Sequence, residues 1–233
     1  MTTNPTETVD TSWKGLYRWG GVFLMLVGAL YFVSLALALS MGATPSWGEA
    51  VLNWLAGQTT LAYTTYGVFM LTDILLVPAL LALYLALKGV NKNAMLAATG
   101  FVGVFIVLDL GVSFISWVAL TTISQNYAAA TSDILRAAYV ATANYALAAT
   151  AVSAPVYSFV ISSIGLLIIS LVMLKGVFSR VTAYLGIIAS IVGFVYGISV
   201  FVPALAMSIV IAIVLSGIWG LLAGSRLYRL GKR

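Results

Sequence analysis

Cysteine and histidine are both missing from this 233-residue chain, and charged side chains make up only 7% of it. Without a thiol or an imidazole it cannot hold a disulfide, a thiolate nucleophile, a zinc or iron–sulfur site, or an imidazole-ligated haem. Seven methionines are scattered and build no soft-metal cluster, so no metal and no cofactor is expected. No Gly-rich phosphate loop, mid-span lysine or serine-activating base is present, so no catalytic residue is expected either. So thin a polar complement also excludes a soluble domain, which needs polar surface over its core.

What the chain has in abundance is apolar length: 62% apolar residues and a mean hydropathy of +1.10. The first apolar segment covers about residues 16–41 and is too long for a signal-peptide core, despite the small residues at 36–38. The second, 60–87, is closed by Lys88; the third, 94–123, opens after Lys92; the fourth, 156–174, lies between Pro155 and Lys175. Residues 181–224 carry no charge. At ~1.5 Å per residue they extend ~66 Å, about twice the ~30 Å hydrocarbon core, so they cross twice and reverse near Pro203.

This layout puts Lys14, Arg18, Lys88, Lys92, Lys175, Arg180, Arg226, Arg229, Lys232 and Arg233 on one side, and Arg136 alone on the other. The positive-inside rule then makes both termini cytoplasmic in a multi-pass protein of the cell membrane. The net charge of +5 is thereby read as topology anchoring and anionic-lipid contact, not as a nucleic-acid surface. The expected fold class is all-α: a polytopic integral membrane protein, a six-helix transmembrane bundle over residues 13–226 with short interfacial helices in the outer loops. A disordered cytoplasmic lead (1–12) is expected before it and a basic cytoplasmic tail (227–233) after it.

The outer loops carry helix signals. Ser46 and Glu49 form a capping-box pattern that places Trp47, Val51 and Trp54 on one face of a short interfacial helix. Thr131-Ser132-Asp133 starts an Ala-rich helix expected to end near Thr150, before Pro155. The apolar turn at 199–203 is expected either to tuck under these helices or to lie shallower than the headgroups. Trp13, Tyr17, Trp19, Tyr63 and Tyr228 read as interfacial anchors.

Small residues recur at helical spacing: Gly186, Ser190, Gly193 and Gly197 in the fifth span, and Ala204, Ser208, Ala212, Ser216, Gly220 and Gly224 in the sixth. They suit either a seam with a second copy of the chain or packing of the two spans on each other. The short turn between those spans favours the second use, with Gly193, Gly197, Ser216 and Gly220 as packing residues.

Asp73 and Asp109 are the charges that lie well inside a span. Asp73 is ~22 Å along a helix from Lys88 and Asp109 ~26 Å from Lys92, so the two acids reach a similar depth on neighbouring helices. A lipid-facing carboxylate costs about 2.5–3.5 kcal/mol, and no Lys, Arg or His lies at that depth. At least one of the two is therefore expected to carry a proton at neutral pH. Tyr66, two turns before Asp73, and Ser113 and Ser116, on the Asp109 face, are candidate polar partners. Pro78 frees the carbonyl of Ile74 beside Asp73 and invites a kink.

Such a pair can hydrogen-bond helices together, handle protons or cations, or act as a catalytic dyad. Intramembrane aspartyl proteases combine two membrane aspartates with a Pro-Ala-Leu motif. Here, however, the tripeptide occurs twice, at Pro78 and Pro203, and the contexts Thr72-Asp73 and Leu108-Asp109-Leu110 differ from those of the enzymes.

Leu83-Tyr84-Leu85-Ala86-Leu87-Lys88-Gly89-Val90-Asn91-Lys92 resembles the Leu-Tyr…Lys-Pro-Val-Asn-Arg/Lys stretch of a prokaryotic six-helix membrane family, domain of unknown function 4386, with Gly89 where the family usually has Pro. The stretch from Leu166-Leu167-Ile168 to Leu185-Gly186-Ile187 is similar to the family's fourth and fifth helices. The resemblance runs over about residues 16–224 and implies six helices in a cytoplasmic membrane, with no assigned activity.

The function expected is non-enzymatic: binding a lipid-like ligand or a membrane-protein partner, which includes a second copy of the chain. The alternative is a small transporter or channel working through Asp73 and Asp109. Because the chain has no cysteine of its own, Lys88→Cys and Arg136→Cys report its two faces. A membrane-impermeant maleimide on intact cells is expected to label position 136 and spare position 88. Labelling of both from outside would remove the six-span layout.

Overall fold

A backbone in lipid must satisfy every N–H and C=O internally, so continuous helix is the form open to these apolar runs. The computed structural model describes residues 10–151 and 153–232, and no strand occurs among them. Residues 1–9 of the expected lead lie outside the described residues. Asp10 starts a 3-10 turn (Thr11–Trp13): its carboxylate accepts from the Ser12 hydroxyl at 2.6 Å and the Ser12 N–H at 3.0 Å. These bonds, the hydroxyl's first, hold the Asp10 carboxyl below the usual carboxylate range.

The helices are α1 (Lys14–Met41), α2 (Gly48–Ala56), α3 (Thr59–Leu87) and α4 (Lys92–Leu108). A π-helical turn (Asp109–Phe114) leads into α5 (Ile115–Ala129), followed by α6 (Asp133–Ala151) and the single turn α7 (Ser153–Pro155). A second π-helical turn (Val156–Ile161) leads into α8 (Ser162–Met173), then α9 (Arg180–Ile198) and α10 (Ser208–Leu230). Asn91 and Ser179 cap α4 and α9, accepting from the N–H groups of Ala94 (3.0 Å) and Thr182 (3.1 Å).

Six helical runs among the described residues are long and apolar enough to cross a membrane, and the fold is an all-α multi-pass membrane bundle. Two runs, Lys92–Ala129 and Asp133–Met173, contain 38 and 41 residues, or ~57 and ~62 Å of helix. They outreach the ~30 Å hydrocarbon core and continue beyond it. The third segment is thus longer than expected. The Ala-rich helix α6 ends at Ala151, before Pro155, and helical structure is taken up again from Ser153.

The spans pack in chain order, and each neighbour pair closes the next: α1 on α3, α3 on α4, α4 on α8, α8 on α9, α9 on α10, and α10 back on α1. The chain therefore forms a closed ring whose first and last spans touch. A buried apolar cluster that includes Tyr17, Leu87, Met95, Met173, Ala183 and Leu227 fills one end of the ring, beside the basic residues that flank the spans. A second cluster, with Val51, Leu52, Leu55, Leu120 and Ala143, fills the far end.

The far end is closed by α2 lying against α5 and α6. Glu49 is not part of a capping box: Trp47 holds the cap position with no side-chain bond, and the Tyr127 hydroxyl donates to the Glu49 carboxylate at 3.0 Å. The Gly48 N–H donates to Asn144 Oδ1 at 2.7 Å, which ties α2 to α6. Val51, Leu52 and Leu55 form the covered face, while Trp47 points outward. Trp54 turns its indole N–H to the Met41 carbonyl, 2.9 Å away. The turn at 199–203 does not tuck under this cap; Phe201 is 78% exposed. Trp13, Trp19 and Tyr63 face outward as anchors should, but Tyr17 is fully buried in the basic-end core.

Both small-residue stripes are used within the chain, though each faces a different neighbour than expected. A Cβ added at Gly224 would meet the Gly21 carbonyl and the Met25 N–H nitrogen at 2.7 Å, and one at Gly28 would meet the Gly217 carbonyl at 2.6 Å. Gly220 likewise approaches the Gly28 backbone, so the α10 stripe packs on α1. In α9, Gly193 lies against Ser163 and Gly197 against Val160, so that stripe serves α8 and the π turn before it. Gly186 alone bridges to α10, with a Cβ there 2.7 Å from Trp219 Nε1.

Backbone contact of this kind leaves no room for a methyl group. Gly224→Ala is expected to destabilise the bundle by about 1–3 kcal/mol through overpacking. Gly100→Ala, where a Cβ meets nothing within 4 Å, is expected to be neutral or to stabilise by up to about 1 kcal/mol. Unfolding in mixed detergent micelles measures the contrast.

Candidate functional site

Between its two apolar ends the ring holds a cavity of about 360 Å³ to which all six spans contribute. Tyr31 comes from α1, Asp73 and Leu76 from α3, and Asp109 from the first π turn. Ser158 comes from the second π turn, Gly193 from α9 and Trp219 from α10. Most of the lining is aliphatic or aromatic, and no Lys or Arg among the described residues reaches it.

Two carboxyl groups stand out among the polar members of the lining. Asp73 is 5% exposed, and its carboxyl lies within hydrogen-bonding reach of the Asp109 carboxyl. This puts two carboxyl groups side by side at the cavity wall. Ser158 donates its hydroxyl to Asp109 Oδ1 at 2.7 Å. Beside it the Ser113 and Tyr157 hydroxyls bond at 2.6 Å.

Both bonds join one π turn to the other, and local sequence accounts for the second turn. Pro155 has no N–H to offer the carbonyl four residues back, so the helix cannot keep α register through it. The widened turn that follows re-aims Tyr157 and Ser158 toward the partner helix. In the first turn, Gly111 adds no side chain to crowd the widened coil.

Aromatic rings also line the cavity. Tyr66 stacks on Trp117 with centroids 5.3 Å apart and planes 19° apart, and both line the cavity. Phe159, also in the lining, meets Tyr196 edge-on at 4.3 Å.

Of the residues expected from sequence, Asp73, Asp109, Tyr66 and Ser113 converge on the cavity. Ser116 does not line it. It was placed two α-helical turns beyond Asp109, and the wider π turn between them shifts that phase off the face. Of the packing residues, Gly193, Ser216 and Gly220 line the cavity wall, while Gly197 only packs. Tyr31, Tyr157 and Ser158 escaped the sequence reading. Their signal was a hydroxyl in the middle of an apolar run, which becomes informative only once the neighbouring spans are known.

The chain matches no family model, no curated protein and no solved structure.

The Ser113–Tyr157 bond is the simplest measure of the join between the π turns. A double-mutant cycle of Ser113→Ala and Tyr157→Phe is expected to give a coupling of about 0.6 to 1.7 kcal/mol, as hydrogen bonds between membrane helices do. Additive effects of the two substitutions would mean that the turns are not joined there.

Proposed function

We propose that this protein binds a lipid-like, amphipathic small molecule in the cavity at the centre of its helix ring, without catalysing a reaction on it. The cavity carries this reading: a largely apolar cavity inside a membrane bundle, with a pair of carboxyl groups in its wall, is complementary to an apolar body that bears one polar group. Its ~360 Å³ falls at the lower end of the ~300–1,000 Å³ of small-molecule sites. A single-chain or ring-shaped amphiphile suits that size, and a two-chain lipid does not.

The proposal includes the setting. The protein sits in a prokaryotic cytoplasmic membrane with both termini on the cytoplasmic side, its basic end against anionic lipid. It is a relative of the six-helix family named above. A membrane-protein partner or second copy would pack on the lipid-facing surface, because the glycine stripes are already occupied within the chain.

Two membrane carboxyls in one cavity, Asp73 and Asp109, favour one further reading, proton-coupled transport of the ligand. Native mass spectrometry of the protein released from native membrane tests the first reading. A small amphiphile is expected to remain bound, and Ser216→Phe, which fills the cavity wall, is expected to lower its occupancy at least tenfold with the melting temperature retained. Absence of any adduct from both forms would refute the binding reading. In proteoliposomes, proton flux abolished by Asp73→Asn or Asp109→Asn in a folded protein would favour transport over binding alone.

A further inference from the structure

We infer that the ligand of this cavity is a lipophilic organic cation, an ammonium or quaternary nitrogen on an apolar body, whose charge seats against Asp73 and Asp109. The inference rests on the binding function proposed above and narrows its ligand class.

Three independent observations point the same way. The first is charge. The cavity holds two carboxyl groups and no Lys or Arg among the described residues, and the chain has no His. An anionic ligand would add a further acidic group beside two carboxyls. A neutral ligand would leave that site as it is.

The second is the placement of the acids. Asp109 accepts from Ser158, whereas no protein N–H among the described residues donates to Asp73. Asp73 is 5% exposed, lines the cavity and lies beside the other acid. Two carboxyls held together away from water are stabilised by a cation beside them, which an ammonium group supplies.

The third is the aromatic frame. Tyr31, the stacked Tyr66 and Trp117, and Phe159 all line the cavity. Electron-rich ring faces attract organic cations most strongly where water is excluded. The rest of the wall is apolar and suits the body of such a molecule rather than a hydrated metal ion.

Tetraphenylphosphonium, tetraphenylborate and neutral triphenylphosphine oxide, titrated against the full chain in nanodiscs and corrected for empty nanodiscs, test this. Saturable binding of the phosphonium with at least tenfold preference over the borate is expected. Asp73→Asn and Asp109→Asn should each weaken phosphonium binding at least tenfold and leave the neutral oxide bound. Equal binding of phosphonium and borate, or full phosphonium affinity in both Asn variants, overturns the inference. If the oxide still binds in that case, the cavity reading stands and only the charge preference fails. If none of the three probes binds, both fail.

Discussion

The backbone-to-backbone meeting of α1 and α10 is the contact on which the cavity depends. Five neighbour pairs of the ring follow from chain order, since short connections keep consecutive helices together. The sixth has no such help. It forms because Gly21 and Gly28 on one span meet Gly217, Gly220 and Gly224 on the other. In lipid, where no hydrophobic effect pulls helices together, close van der Waals packing of small residues has to supply the attraction. With that seam open the helices would form a curved sheet with a lipid-filled groove. With it closed they form a chamber.

A chamber inside a membrane bundle makes the acids tolerable. A carboxylate facing lipid would cost several kcal/mol. Asp73 and Asp109 instead line the cavity, and Asp109 gains the Ser158 hydroxyl. The π turns are part of the same solution, since a strictly α-helical course would present Ser113, Tyr157 and Ser158 at different angles. Geometry that costs helix regularity is retained where polar groups must meet. Both irregular turns lie on the cavity side that carries the carboxyl pair.

Much of this was legible before any coordinates. Apolar run length and the asymmetric placement of basic residues give the six spans, because both are dictated by bilayer thickness and charge. The depth of Asp73 and Asp109, measured from Lys88 and Lys92, puts them together, because helical rise is fixed. Other features were not legible. The capping-box pattern of Ser46 and Glu49 has the right spacing, yet Glu49 bonds Tyr127, a residue 78 positions away. Ser116 sits at the right α-helical phase, but a π turn upstream changes that phase. The glycine stripe of α10 reads as a packing face from its spacing alone; that its partner is α1 is a property of the closed ring. Local pattern fixes which face is sticky, and tertiary arrangement chooses what it sticks to.

A ring whose seam joins the first span to the last has a consequence for biogenesis. As the chain leaves the ribosome, α3 and α4 enter the membrane early, and the two acids can find each other while most of the wall is still unmade. The glycine face of α1, by contrast, must wait for the final span to be synthesised before it has a partner. Until then the nascent protein presents an adhesive groove to the lipid and to whatever insertase attends it. Assembly is thus committed at its last step, and a ribosome that stalls before residue 208 leaves an open half-barrel of helices rather than a smaller working protein.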